Sequence, residues 1–269
     1  MGRMIHRPAN PFRWASSPTL SRRLRSTRWS VGGQMTWAGR YHAVRDGATA
    51  LTSGPTESRR RWSLADRLTA GALGPQLRGR RVLLRPLVSG DFPEWQEVRR
   101  RCAQWLIPWE ARRPQGQPDI VENRRAFDAR CEAADRERAM GSAYRFGIFV
   151  DGRFGGEINL GSLQRGAFQN AYVGYWIDQA LAGKGYMPEA VVVTARYAFE
   201  DLGLHRIQVS IIPRNAASRR VADKLELRDE GIAARYLEIN GVWEDHVRYA
   251  MTSDEWQVRR DELLRAWIN

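Results

Sequence analysis

The sequence predicts a mixed α/β (α+β) domain over residues 77–269, a central β-sheet flanked by helices, behind a disordered basic extension at residues 1–70. Three observations predict it. Period-two and helix-period runs alternate from residue 77 onward. The composition changes near residue 70. One strand leads through a glycine-bearing loop into a helix N-terminus, the usual anatomy of a ligand site in α/β folds.

The extension comes first. Residues 1–70 hold 13 Arg, no Lys and three acids (Asp46, Glu57, Asp66), which leaves +10 of the chain's formal +13 in this segment. It is rich in Ser, Gly, Thr and Pro, and Trp14, Trp29, Trp37 and Trp62 fall at no helical or strand period. Such a stretch cannot bury enough apolar surface to offset its ordering entropy. Three readings stand: a basic tail touching RNA or an acidic surface, an organelle transit peptide, or an over-long start. The remaining residues carry only +3, so nucleic acid is expected as a partner through this tail alone.

The domain elements follow in order. Residues 81–85 alternate as a strand, and Pro86 with Ser89-Gly90-Asp91 makes a turn. Phe92, Trp95, Val98 and Cys102 recur at helical spacing. A proline-broken link over 106–114 is read as non-helical. A second helix is expected over 118–140, with Ile120, Phe127, Cys131 and Ala134 on its apolar face. Residues 144–151 and 154–160 read as a hairpin around Gly152, and 170–178 as a third strand. Residues 188–202 read as a helix, with proline in the first turn and Gly203 at the end. A strand over 206–212 and a short helix over 215–225 come next. Strands over 233–239 and 242–250 flank Asn240-Gly241, the strongest two-residue hairpin signal. Thr252 and Glu255 form a capping box for a last helix buried through Trp256, Leu263 and Trp267.

Several function classes fall away. No apolar run approaches the ~18 residues that cross a bilayer, and the N-terminus lacks a secretory apolar centre, so no membrane partner is expected. Cys102 and Cys131 are too few for a disulfide scaffold and read as buried thiols in a reducing, cytoplasmic setting. The four histidines are dispersed and no Cys/His cluster has metal spacing, so no metal is expected.

The informative stretch runs from Gly174 to Ala190: strand, loop with Gly183-Lys184-Gly185, helix. Glycines permit positive φ and close approach of a ligand. The amides behind them, with the helix dipole, suit a diphosphate, and Lys184 adds charge at the rim. A plain tight turn reads equally well from the glycines alone. A P-loop fails because Tyr186 follows Gly185, and a dinucleotide fingerprint fails because Pro188 stands where its third glycine belongs. Coenzyme A remains as the phosphate-bearing ligand.

These residues carry a resemblance. Gly155-Gly-Glu157-Ile-Asn159, Gly174-Tyr175-Trp176-Ile177, the loop through Ala190, Leu204-His-Arg-Ile, Pro213-Arg-Asn215-Ala-Ala-Ser218 and Glu230-Gly231 together resemble the GNAT N-acetyltransferases, specifically the RimJ/RimL branch that acetylates N-termini of ribosomal proteins. The resemblance implies the GNAT fold, a splayed sheet with acetyl-coenzyme A wedged between two parallel strands, which the reading assigns to 154–160 and 171–178. It implies pantetheine pairing with the backbone of Trp176, Ile177 and Asp178, and pyrophosphate on the amides of Leu181, Ala182, Gly183, Lys184, Gly185 and Tyr186. Asn215, otherwise an N-cap, would touch the pantetheine arm. Ala180 stands where a Gln or Arg is common, Ala222 where many members carry a proton-donating Tyr, and Glu226-Leu227 where Gly-Phe is usual. Ser218 is the next counterpart of that tyrosine, and an exposed helical serine is its plainer reading.

The implied reaction is direct attack of an amine on the thioester. Glu157 and Glu238 are the candidate bases, each equally readable as an ordinary solvated or ion-paired acid. Asn159 would orient the amine, and Tyr175 and Trp109 would wall the pocket. Glu189 reads as a first-turn acid that complements the helix dipole. The acceptor is read as a protein N-terminus; alternatives are a small amine or antibiotic, or a non-catalytic coenzyme A- or RNA-binding module.

Overall fold

The computed structural model describes residues 74–269. The disorder, tail and start-site readings of residues 1–70 lie outside the described residues.

The N-terminal strands β1 (Leu77–Arg78) and β2 (Val82–Arg85) lead to helix α1 (Phe92–Arg101) and a short helix α2 (Ala103–Leu106). Helix α3 (Arg124–Ala139) precedes strands β3 (Tyr144–Val150), β4 (Arg153–Gln164) and β5 (Asn170–Ile177). Helix α4 (Tyr186–Arg196) crosses over to β6 (Arg206–Ile211), and α5 (Ala216–Lys224) leads into the hairpin β7 (Arg228–Ile239) and β8 (Val242–Thr252). Helix α6 (Ser253–Trp267) closes the chain, opened by the Thr252/Glu255 capping box that the sequence predicts.

One eight-stranded sheet has the order β1-β2-β3-β4-β5-β6-β8-β7. Its period-two strands bury both faces. Ile148, Ile158 and Leu160 pack with Val191, Val193 and Ala195 of α4 and with Trp256, Leu263 and Leu264 of α6. On the other face Phe149 and Phe154 meet Trp95, Val98 and Phe127 of α1 and α3. Helix α4 is buried from Met187 to Ala195, as expected of a helix apolar all round.

Several boundaries differ from the sequence reading. The helix expected over 118–140 begins at Arg124, because Asn123 caps it by accepting from the Ala126 amide at 3.0 Å. The link over 106–114 holds a 3-10 turn at Ile107–Trp109, which accommodates Pro108 in its first turn. Helix α4 starts two residues before Pro188 and gives way to a π-turn at Tyr197–Asp201. Glu226 takes φ +46° after α5, the left-handed position that glycine usually fills.

The parallel pair is corrected too. β4 and β5 are antiparallel, with Glu157 opposite Trp176, because a short loop joins them. A parallel pair needs a long crossover, and here α4 supplies it between β5 and β6. That pair holds only at Asn170↔Arg206, Ala171↔Ile207 and Tyr172↔Gln208, after which the strands part. The wedge predicted by the resemblance therefore exists, one strand further along.

Candidate active site

The parting of β5 from β6 opens a cavity of about 510 Å3. Its lining runs from Gly183, Gly185 and Tyr186 at the start of α4, past Tyr175, Trp176 and Ile177 of β5 and Asn215 and Ser218 at the start of α5, to Trp105, Trp109, Glu110 and Asn159. One cavity thus joins the glycine loop to the opposite helical layer through the sheet.

The loop end is built for an anion. Gly183 (φ +78°) and Gly185 (φ +87°) hold left-handed backbone, and Gly185 is the N-cap of α4. The amides of Gly183, Lys184 and Gly185 find no acceptor among the described residues, so they are free to meet phosphate oxygens at the positive end of the helix. Arg81 braces this loop from beneath. Its guanidinium donates to the Lys184 carbonyl at 3.1 Å and to the buried Glu189 at 2.9 Å, and lies 4.6 Å from the Tyr186 ring centroid. Glu189 also accepts from the Val82 amide at 3.1 Å, so its work is to tie β2 to α4 rather than only to complement the dipole. Arg220 and Lys224 of α5 line the cavity and bring positive charge that the motif alone does not reveal. The Lys184 side chain is exposed and does not line it.

Leu181 and Ala182 line the cavity, but their amides already donate to the Asp178 carbonyl at 2.9 and 3.1 Å, so they are not free for the pyrophosphate role that the resemblance implies. Gly156 lets the strands close behind them: a Cβ there would collide with the carbonyl oxygen of Trp176. Asp178 departs from its expected role. Its amide donates to the Gly155 carbonyl at 2.7 Å. Its buried carboxylate pairs with Arg101, accepts from Cys102 Sγ at 3.3 Å, and caps the Gln179–Leu181 turn through the Ala180 amide at 3.0 Å. The Ile177 carbonyl is taken as well, by Trp105 Nε1 at 3.3 Å.

At the middle of the cavity two hydroxyls meet. Ser218 Oγ donates to the Tyr175 hydroxyl at 3.0 Å. Asn215 fixes the serine by accepting from the Ser218 amide at 3.1 Å, so its N-cap reading holds. Burial pushes the Tyr175 phenol up to about 12, against the Ser218 hydrogen bond. The pair is therefore neutral and protonated across ordinary pH, a source of protons rather than a base. Tyr175 brings a phenol to this region, where Ala222 offers none.

The far end holds aromatic walls and one acid. Trp109 lies under Arg214, whose guanidinium carbon is 5.0 Å from the ring centroid. Glu110 forms a two-pronged pair with Arg99 at 2.5 and 2.8 Å. Asn159 Oδ1 is buried with no hydrogen-bond partner, a state that native structures rarely leave without a ligand or water to satisfy it.

Neither carboxylate nominated by the sequence is here. Glu157 is 3% exposed, pairs with Arg130, and accepts from Trp95 Nε1 at 2.7 Å. Burial opposes its charge, but Arg130 beside it and the hydrogen bonds from Arg130 and Trp95 hold its carboxyl below the usual range. It is a satisfied core anion, outside the cavity lining. Glu238 is exposed on β7 and also outside the lining. Glu110, Trp105, Arg220 and Lys224 are the residues that sequence reasoning missed. Glu110 and Trp105 belong to or border a segment without period, and Arg220 and Lys224 look like any solvated helix face. Their one signal is i, i+4 spacing after Asn215. Among the described residues no group of three or more His, Cys, Asp or Glu could hold a metal ion, and no helix is long and apolar enough to cross a membrane.

Comparison with known proteins agrees with this geometry. Residues 81–228 match the family model described as an acetyltransferase (GNAT) domain. The chain is 36% identical over 172 residues to the probable N-acetyltransferase YjcK of Bacillus subtilis, covering 63% of this chain and 93% of that one. It is 34% identical over 156 residues to the ribosomal protein uS5-alanine N-acetyltransferase of Escherichia coli K12, covering 56% of this chain and 77% of that one. Among solved structures, RimJ of Mycobacterium smegmatis in complex with a coenzyme A disulfide superposes with TM-score 0.65 at 30% identity, covering 71% of this chain and 92% of that one.

Proposed function

The chain belongs to the GNAT acetyltransferases, acetyl-coenzyme A-dependent N-acetyltransferases, and on that premise we propose that it acetylates the N-terminal α-amine of a protein, by direct attack in a ternary complex. A single observation carries the reading: one cavity connects an amide-lined phosphate loop to a pocket bearing a carboxylate and an unsatisfied amide oxygen, with paired hydroxyls between them.

Bound acetyl-coenzyme A supplies an acetyl group activated as a thioester. The chain's residues do the rest. The loop amides over Gly183–Tyr186, with Arg220 and Lys224, hold the phosphates, while Trp176 and Ile177 border the pantetheine arm and Asn215 stands beside it. An α-amine titrates at ~7.7–8.0, so a modest base serves at neutral pH. Asn159 Oδ1 accepts from the amine and orients it. Ser218 Oγ, backed by the Tyr175 hydroxyl, passes a proton to the departing sulfur and regains one from the nitrogen as the amide forms, so the proton lost by the amine ends on the thiol. Trp105, Trp109 and Tyr175 keep water from the site. The relatives named for ribosomal-protein N-termini support a ribosomal protein as the acceptor, and a cytoplasmic setting follows from that acceptor.

The test is release of free coenzyme A by the full-length chain given acetyl-coenzyme A and peptides beginning with Ala, Ser, Thr or Met, alongside polyamines and aminoglycosides. Peptide-dependent release is expected. Turnover confined to the small amines would replace the protein acceptor with a small molecule. No turnover with any amine, with acetyl-coenzyme A bound, would return the chain to the binding-module reading.

A further inference from the structure

The candidate carboxylates named from the sequence both lie outside the cavity, yet an amine that attacks a thioester must be received somewhere. We propose that Glu110 is the acceptor-binding residue, its carboxylate taking the ammonium of the incoming amine opposite Asn159. The proposal rests on the acetyl-transfer reading above and gives its acceptor pocket a charge requirement.

Four observations carry it. Among the described residues Glu110 is the one carboxylate that lines the cavity. Its side chain is 35% exposed, against 3% for Glu157, so a soluble ligand can reach it. A carboxylate accepts in about four lone-pair directions, and the two bonds from Arg99 use two of them. Two are left for a ligand. Finally, the acid is held in place from both sides. Its carbonyl accepts from the Asn240 amide of the β7–β8 turn at 2.8 Å, and the neighbouring Trp109 is covered by Arg214.

Three arginines near it are already paired. Arg130 pairs with Glu157, Arg214 with Glu244, and Arg113 with Asp119. Among the described residues Arg99 is the one cation bonded to Glu110, its charge strengthened despite burial by Glu110 first and then by Glu157. A primary ammonium carries three donors. Glu110 and the unpartnered Asn159 Oδ1, both on the cavity lining, offer acceptors for two of them. A carboxylate there asks for a free, positively charged amine, so the acceptor class is an unblocked N-terminus rather than a blocked one.

The experiment uses the full-length chain as wild type, Glu110→Gln and Glu110→Asp. Each is assayed with an alanine-start peptide, titrated with acetyl-coenzyme A, and titrated with free-amine and N-acetylated forms of that peptide in the presence of coenzyme A. Glu110→Gln is expected to raise the peptide KM ten- to a hundredfold and to abolish the preference for the free amine. Its acetyl-coenzyme A Kd should stay within twofold, and Glu110→Asp should recover part of the loss. A peptide KM within twofold of wild type in Glu110→Gln overturns the proposal, as does an equal loss of acetyl-coenzyme A affinity, which would mark a collapsed site. If the wild type turns over no amine and shows no free-amine preference, the acetyl-transfer reading falls first and takes this one with it. A wild type that works beside an equally active Glu110→Gln removes Glu110 alone.

Discussion

Replacing Glu157 by Gln removes one charge from the buried set formed by Glu157, Arg130 and Trp95. The amide can still accept from Trp95 Nε1, but it leaves the Arg130 guanidinium without its counter-charge. Breaking a buried ion pair costs ~3–5 kcal/mol. Arg130 is 27% exposed and can recover some hydration, so the low end applies, about 3 kcal/mol. For a domain near this size that is roughly 6–12 °C in Tm, or about 1.5 M in the urea midpoint at an m value of ~2 kcal/mol/M. The pH dependence has a definite sign. The folded carboxyl titrates below its unfolded value of 4.5, so its contribution is complete above that pH and is lost as pH falls through the folded value. The gap between wild type and Glu157→Gln should therefore be flat from pH 6 to 8 and shrink below about pH 4.5. Urea titrations across that range, paired with kcat/KM of the folded variant at 20 °C, separate a structural acid from a catalytic one. Activity is expected within about fivefold of wild type, since removing a positioned base costs ~10²–10⁴. An unchanged urea midpoint with a hundredfold loss of kcat would refute the structural assignment and restore Glu157 as the base.

Ser218→Ala should lower kcat ten- to a hundredfold, toward the low end of what a positioned proton donor contributes, with little change in acetyl-coenzyme A binding. Tyr175→Phe should cost about tenfold, and because the two hydroxyls share one hydrogen bond, a double-mutant cycle should show them non-additive. Glu226→Gly should stabilise the domain by about 0.5 kcal/mol: relief of a left-handed non-glycine residue is worth ~1–2 kcal/mol, partly offset by glycine's greater unfolded entropy. A calorimetric Tm that falls instead would mean the Arg259–Glu226 pair, 77% exposed on the acid, matters more than its exposure allows. Glu230 is held down to about 2 by the hydrogen bond from Arg206, against burial, and then by Arg228. Its folded value lies below the unfolded one, so Glu230→Gln should cost ~1 kcal/mol at pH 7 after solvent screening, and the cost should fade between about pH 4.5 and 2.

Much of this protein is determined by local rules that a sequence displays. Period-two runs must become strands and the 3.6-residue stripe of Phe92, Trp95 and Val98 must become a helix, because only those periods gather apolar groups on one face. Thr252 with Glu255 and Asn240-Gly241 act through bonds three residues apart or fewer, so the last helix begins and the outer hairpin turns where the letters say, although its first strand starts at Arg228 rather than at residue 233. The glycine loop is equally local: positive φ at Gly183 and Gly185 and free amides at a helix start follow from the residues there. The resemblance added the wedge, but 154–160 was assigned as the wall beside β5 where β6 stands, since strand direction depends on the length of the connection and on what packs over it.

Tertiary structure decided the roles of the charges. Glu157, Asp178, Glu189 and Glu110 are indistinguishable as acids in a string. Three of them meet arginines and backbone amides distant in sequence, Arg130, Arg101 and Arg81 with Val82, and are consumed by the core. Glu110 alone is left lining the cavity, on a segment whose prolines hide it from any periodicity. Tyr175 and Ser218 lie 43 residues apart and meet only because α5 packs beside the end of β5. The physical reason is the same throughout. Secondary structure is fixed by neighbours along the chain, whereas the protonation and availability of a side chain are fixed by what low-dielectric packing brings within ~3 Å of it.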